Sequence, residues 1–163
     1  MTGGPEVLPL DPDGLPSLRF WRSANGPTFT PWDFLQATAT LEQAAAFATL
    51  FWPDLVEHEG AVYLAEHFDA ANVARWRREA PAIDGPGLER VLNHCHLSDR
   101  LATVDGLAQG ALRHLAGVLA ATWSCRLAHR FPSRVFEVSW HEDADGDITI
   151  TFWQSPPHAE QAG

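Results

Sequence analysis

Residues 89–101 read ERVLNHCHLSDRL and bring His94, Cys95, His96, Ser98 and Asp99 close together. Two imidazoles at i and i+2 point the same way on a β-strand, about 7 Å apart along the chain, a workable metal pair. On an α-helix they fall about 160° apart and cannot grip one ion. Leu88, Val91, Leu92 and Cys95 share one helical stripe, and Gly85-Pro86-Gly87 breaks the chain before them. The sequence therefore predicts a helix here, with at most one of His94 and His96 facing a pocket and no self-contained metal site. Asp99 would join the apolar stripe if the helix ran on, where an unpaired carboxylate is costly. The helix is thus expected to end near Leu97, with Ser98 or Asp99 capping the next turn. A buried Asp99 would instead need an Arg.

The longest apolar pattern, residues 105–131, supplies that Arg. Ala108, Ala111, Leu115, Val118, Leu119 and Thr122 form its expected buried face, and the same angle carries on to Arg126 and His129. Such a stripe marks either a pocket wall or the point where a helix leaves the core. Terminal cations also favour the helix dipole by about 0.3–1 kcal/mol with no function attached. The candidate pocket set is His94, His96, Asp99, Thr122, Arg126, His129 and His141.

Other motifs carry less. Asp143–Asp147, DADGD, starts like a calcium loop but has Ile148 and Gln154 where the loop wants Gly and a bidentate Glu, so it reads as an acidic hairpin turn. ARWRR, residues 74–78, reads as a solvated helix face. The chain has no glycine-rich phosphate loop, G-x-S-x-G or H-E-x-x-H, so no cofactor is expected.

The elements that must position these residues follow from periodicity and punctuation. LRFWRSANGPTFTPW around Asn25-Gly26 reads as a short strand or hairpin. Thr40 and Gln43 form a capping box that opens a helix stopped by Pro53. Two apolar runs joined through Glu59-Gly60 read as a hairpin, and Asp69 caps a helix closed by Pro81. Near the end, Phe136, Val138 and Trp140 alternate with Glu137 and Ser139. Ile148, Ile150 and Phe152 alternate with Thr149, Thr151 and Trp153, so a second hairpin is expected. The outward Thr149, Thr151 and Trp153 are expected to lie under the N-terminal segment or a partner.

Together these give an α+β fold: an antiparallel sheet of two hairpins, with helices packed on one face and one long helix. The expected organisation is a partly irregular segment 1–30, one domain over 31–154, and a flexible tail 155–163. The 163 residues, 45% hydrophobic with seven Trp and nine Phe, suffice for a core.

The net charge is −10, from 21 acidic and 11 basic residues, and every basic residue is Arg. That field opposes nucleic acid or an anionic membrane as partner and suits solubility or a basic protein. No signal peptide or spanning segment is legible, and Cys95 and Cys125 read as buried free thiols of a reducing bacterial cytoplasm. The expected function is a small acidic binding protein (antitoxin-like, immunity-like or an accessory subunit), with a homodimer also open. The alternative is a small enzyme or ligand-binding protein built on the His/Asp/Arg set.

Overall fold

The computed structural model describes residues 7–83, 85–101 and 109–155. Six α-helices and five strands fill them in the order α1 (Pro16–Asn25), α2 (Pro31–Thr38), α3 (Leu41–Phe51), β1 (Leu55–His58), β2 (Ala61–Leu64), α4 (Ala70–Glu79), α5 (Gly85–Leu92), β3 (Cys95–His96), α6 (Gln109–Arg130), β4 (Phe136–Glu142) and β5 (Ile148–Gln154).

The first two helices replace the expected N-terminal strand or hairpin. Pro16 sits in the first turn of α1, and Gly26, at φ 98°, closes it by donating from its N–H to the Arg22 carbonyl at 2.9 Å. Thr30 accepts from the Asp33 amide at 3.2 Å, while the Asp33 carboxylate accepts from Thr30 N–H at 2.8 Å. Such a box starts a helix, and Pro31 follows it at the first helical position. Local capping thus overrides the β propensity of the Phe, Trp and Thr residues. The second box forms as the sequence implied, with Thr40 N–H donating to Gln43 at 2.9 Å. Asp69 likewise caps α4.

The α+β class, two antiparallel hairpins and the long helix are all present. The hairpins belong to separate sheets, β1–β2 and β3-β5-β4. Glu59 (φ 50°) and Gly60 (φ 82°) supply the left-handed backbone that a two-residue hairpin turn requires. Both faces of the larger sheet are covered. Ile148, Ile150 and Phe152 pack with Ala116, Leu119, Ala120, Trp123 and Leu127 of α6. On the opposite face Thr151 donates from Oγ1 to the Arg90 carbonyl of α5 at 2.7 Å, and the Arg90 guanidinium lies 4.9 Å over the Trp153 ring.

Two side chains separate the sheets. Glu89, midway along α5, and Asn93, just past its end, are both buried between β2 and β5. One Glu89 oxygen accepts from Val62 N–H at 2.7 Å, and the other accepts from Gln154 N–H at 2.7 Å. Asn93 accepts from Leu64 N–H at 2.9 Å and donates to the Val62 and Phe152 carbonyls at 2.9 and 3.2 Å. The carboxylate and amide fill the place of a strand ladder, leaving neither backbone edge unpaired. This wedge keeps the two hairpins out of one sheet.

Candidate functional site

Helix α5 ends at Leu92, and Cys95 and His96 pair with Ile150 and Thr149 of β5. The helix expected through His94 and His96 is therefore absent. Asn93 is committed to the two sheet edges, and continuing the helix past it would forfeit the β3–β5 pairing. With His94 just before β3 and His96 within it, the two come together, their rings stacked 23° apart with centroids at 4.6 Å. His141 pairs with Thr149 from the other side, so His96, Thr149 and His141 form a row across three strands. The His94 and His141 ring centroids are 6.2 Å apart.

Asp147, immediately before β5, anchors this row. Its carboxylate bonds His96 Nδ1 and accepts from Ser98 N–H at 3.3 Å. The Thr149 hydroxyl lies 3.3 Å from the same His96 nitrogen. Burial works to raise the Asp147 pKa, but the bonds from His96 and Ser98 outweigh it and hold the group below its usual range. His94 is pushed down, first by desolvation and then by His96 and His141, against an opposing pull from Asp147. With Nδ1 held by the carboxylate, His96 is oriented for hydrogen bonding or proton transfer through Nε2. His94 and His141 are nevertheless exposed. Among the described residues, no three His, Cys, Asp or Glu side chains are disposed to hold a metal ion.

The remaining candidates lie elsewhere. Arg126 donates from Nε to the Pro53 carbonyl at 3.1 Å and sits 5.3 Å over the Trp52 ring. The His129 ring is 6.3 Å from the same Trp. Thr122 spends its hydroxyl on the Val118 and Leu119 carbonyls. These groups belong to α6, on the opposite face of the sheet from the histidines. Asp99 is exposed in the turn after β3, and Arg126 meets Asp54 at 3.9 Å instead. The pocket anticipated from all seven residues does not assemble.

The reason lies in the faces of α6. Ala116, Gly117, Leu119, Ala120, Trp123 and Leu127 are fully buried against the sheet and α3, whereas Ala111, Leu115, Val118 and Thr122 are half-buried. Ala108 falls outside the described residues. A helix contacted on two sides has no single apolar stripe to extrapolate from. Cys95 is buried as expected, but Cys125 is exposed. Of Thr149, Thr151 and Trp153, expected under the N-terminal segment or a partner, Thr149 and Thr151 are buried in the isolated chain; Thr149 lies against His96, and Arg90 of α5 covers Thr151 and Trp153.

The structure adds a surface that the sequence reading did not single out. Helices α1, α2 and α3 form a layer over α6: α1 and α2 are joined by Trp21 stacking on Phe29 and meeting Phe34 edge-on, and α3 packs on α6. Phe20 is 69% exposed, Trp32 77%, Leu35 52%, Leu41 83% and Phe47 48%. Between this layer and α6 runs a groove of about 640 Å³. Leu10, Leu18, Phe34, Leu35, Phe47 and Leu112 are among its almost wholly apolar walls. Pro16 and Gly26 bracket a helical decapeptide, and Thr30-x-x-Asp33 opens another helix, so the signal was present in the capping chemistry.

Compared with protein-family models, curated proteins and solved structures, the chain matches none.

Proposed function

We propose that the protein is a small acidic binding protein whose α1–α3 layer engages a protein partner. The groove carries this reading: Leu35 and Phe47 are at once its walls and among the most exposed apolar side chains of the layer. Large exposed apolar residues beside a groove are typical of interaction sites, and aromatic residues are enriched at interface centres. A groove walled by helices suits the apolar face of an amphipathic helix. With a net charge of −10 on this chain, a partner with basic flanks gains from electrostatic steering, whereas a second copy is repelled. A role as inhibitor or accessory subunit of a basic protein follows, in the reducing compartment that suits free Cys95 and Cys125.

A photo-crosslinking residue in place of Leu35 tests this in the source cells, with Arg75 on α4 as the control position. The expected result is one basic protein attached at position 35 and absent at position 75. Self-adducts alone, or no adduct at all, would overturn it.

A ligand-binding or catalytic reading is favoured by one observation, the His96–Asp147 pair with His94 and His141 beside it. A small-molecule activity or ligand that disappears in His96→Ala, with the fold retained, would give it precedence.

A further inference from the structure

Strand β4 borders the three-stranded sheet, and among the described residues nothing pairs with its outer side. The groups it presents there follow from β5. Ile148 and Phe152 direct their carbonyls away from β4, to Leu97 and Asn93, and Gln154 directs its N–H to Glu89. Thr149, Thr151 and Trp153 must therefore face β4, and their partners His141, Ser139 and Glu137 face back. Phe136, Val138, Trp140 and Glu142 are left pointing N–H and C=O groups outward. The edge has few of the usual protections. It carries no Lys and no Pro, and its register with β5 is one-to-one throughout, so no bulge twists it away. Both of its carboxylates are already engaged within the chain, Glu142 by Arg113 at 2.6 Å and one oxygen of Glu137 by the Ser155 hydroxyl at 2.6 Å, which leaves the second Glu137 oxygen open among the described residues.

We infer that this edge pairs with the same edge of a second copy, antiparallel about a two-fold axis at Ser139. A dimer must place residues of like orientation opposite one another. Centring at Ser139 satisfies this and pairs all seven residues of Phe136–Glu142, whereas centring at Val138 or Trp140 shortens the overlap. It sets Val138 against the partner's Trp140 on the α6 side. On the other side it sets Glu137 against the partner's His141, opposite charges twice per dimer when the imidazole is protonated. The strand FEVSWHE is thus complementary to itself in one register. This local match is the argument for a second copy despite the long-range repulsion between two acidic chains, and salt should therefore strengthen the dimer. The edge lies apart from the α1–α3 groove, so a dimer would carry two groove sites.

Sedimentation of the full chain should show a species of twice the 17.9 kDa chain mass, favoured by salt. In a Cys125→Ser background, Ser139→Cys should form a covalent dimer under mild oxidation. Glu137→Cys and His141→Cys should do so only when the two variants are mixed. Both side chains are exposed, so His141→Glu should spare folding and weaken dimerisation about tenfold, and adding Glu137→Arg should restore it. A monomer at all concentrations and salt levels would overturn the inference. So would a dimer indifferent to these substitutions, or covalent capture of a different protein at position 139.

Discussion

The three-stranded sheet and the N-terminal helical layer use their apolar residues in opposite ways. In β5, residues 148–152 are buried, and even the hydroxyls of Thr149 and Thr151 have partners. In α2 and α3 no residue is fully buried, although the two helices carry Trp32, Phe34, Leu35, Leu41, Phe47, Leu50 and Phe51. Those helices are specified by their caps at Thr30 and Thr40 and only partly by tertiary packing. The comparison separates residues that hold the fold from residues left available on it. Apolar area buried within the chain stabilises it, and apolar area left open is available to a partner.

Substitutions can break or sharpen that contrast. The largest expected effect is at the wedge. Glu89→Ala strands the amides of Val62 and Gln154 between the two sheets, and at roughly 1–3 kcal/mol for each unpaired group it should cost about 2–6 kcal/mol. Chemical denaturation measures this, and a loss below about 1 kcal/mol would mean that water reaches the seam. Thr40→Ala removes a cap from the layer and should cost about 1 kcal/mol.

The histidine row gives a pH signature. His94 has its folded pKa below the ordinary 6.5, so the unfolded chain binds the proton more readily. Its contribution to stability is therefore complete above about pH 6.5 and is lost as the pH falls through the window below that value. His94→Asn should flatten the pH dependence of the melting temperature there, and an unchanged slope would show that the stacked pair is immaterial. The smallest effect is expected in the layer: Trp32→Ser should shift stability by no more than about 0.5 kcal/mol. A loss of 2 kcal/mol would place Trp32 among the residues that hold the fold.

Much of this fold was legible where local chemistry decides. The Thr40–Gln43 box, the Asp69 cap, the Glu59-Gly60 turn and the alternation along β4 and β5 all act over a few residues. Over residues 18–32 the aromatic content favours a strand, and the capping signals at Pro16, Gly26 and Thr30 override it. The His94–His96 segment failed for a different reason. Its apolar spacing fits a helix, but the long-range bonds of Asn93 to β2 and β5 end α5 at Leu92. Nothing within the motif encodes partners 31 and 59 residues away. In the sequence His141 offers only its residue type, and only the register across β5 sets it beside Thr149. Asp147 was read as part of a turn, and its bond to His96 depends on that same pairing.

The central claim is that the α1–α3 groove serves a partner rather than the fold. Its most direct test is calorimetric titration of the purified chain with the protein captured at position 35, alongside Leu35→Asp and Phe47→Asp. The expected result is saturable binding by the parent and at least about a hundredfold weaker binding by each variant, corresponding to about 2.7 kcal/mol, with melting temperatures within a few degrees of the parent. Binding that survives both substitutions, or variants that fail to fold, would contradict it.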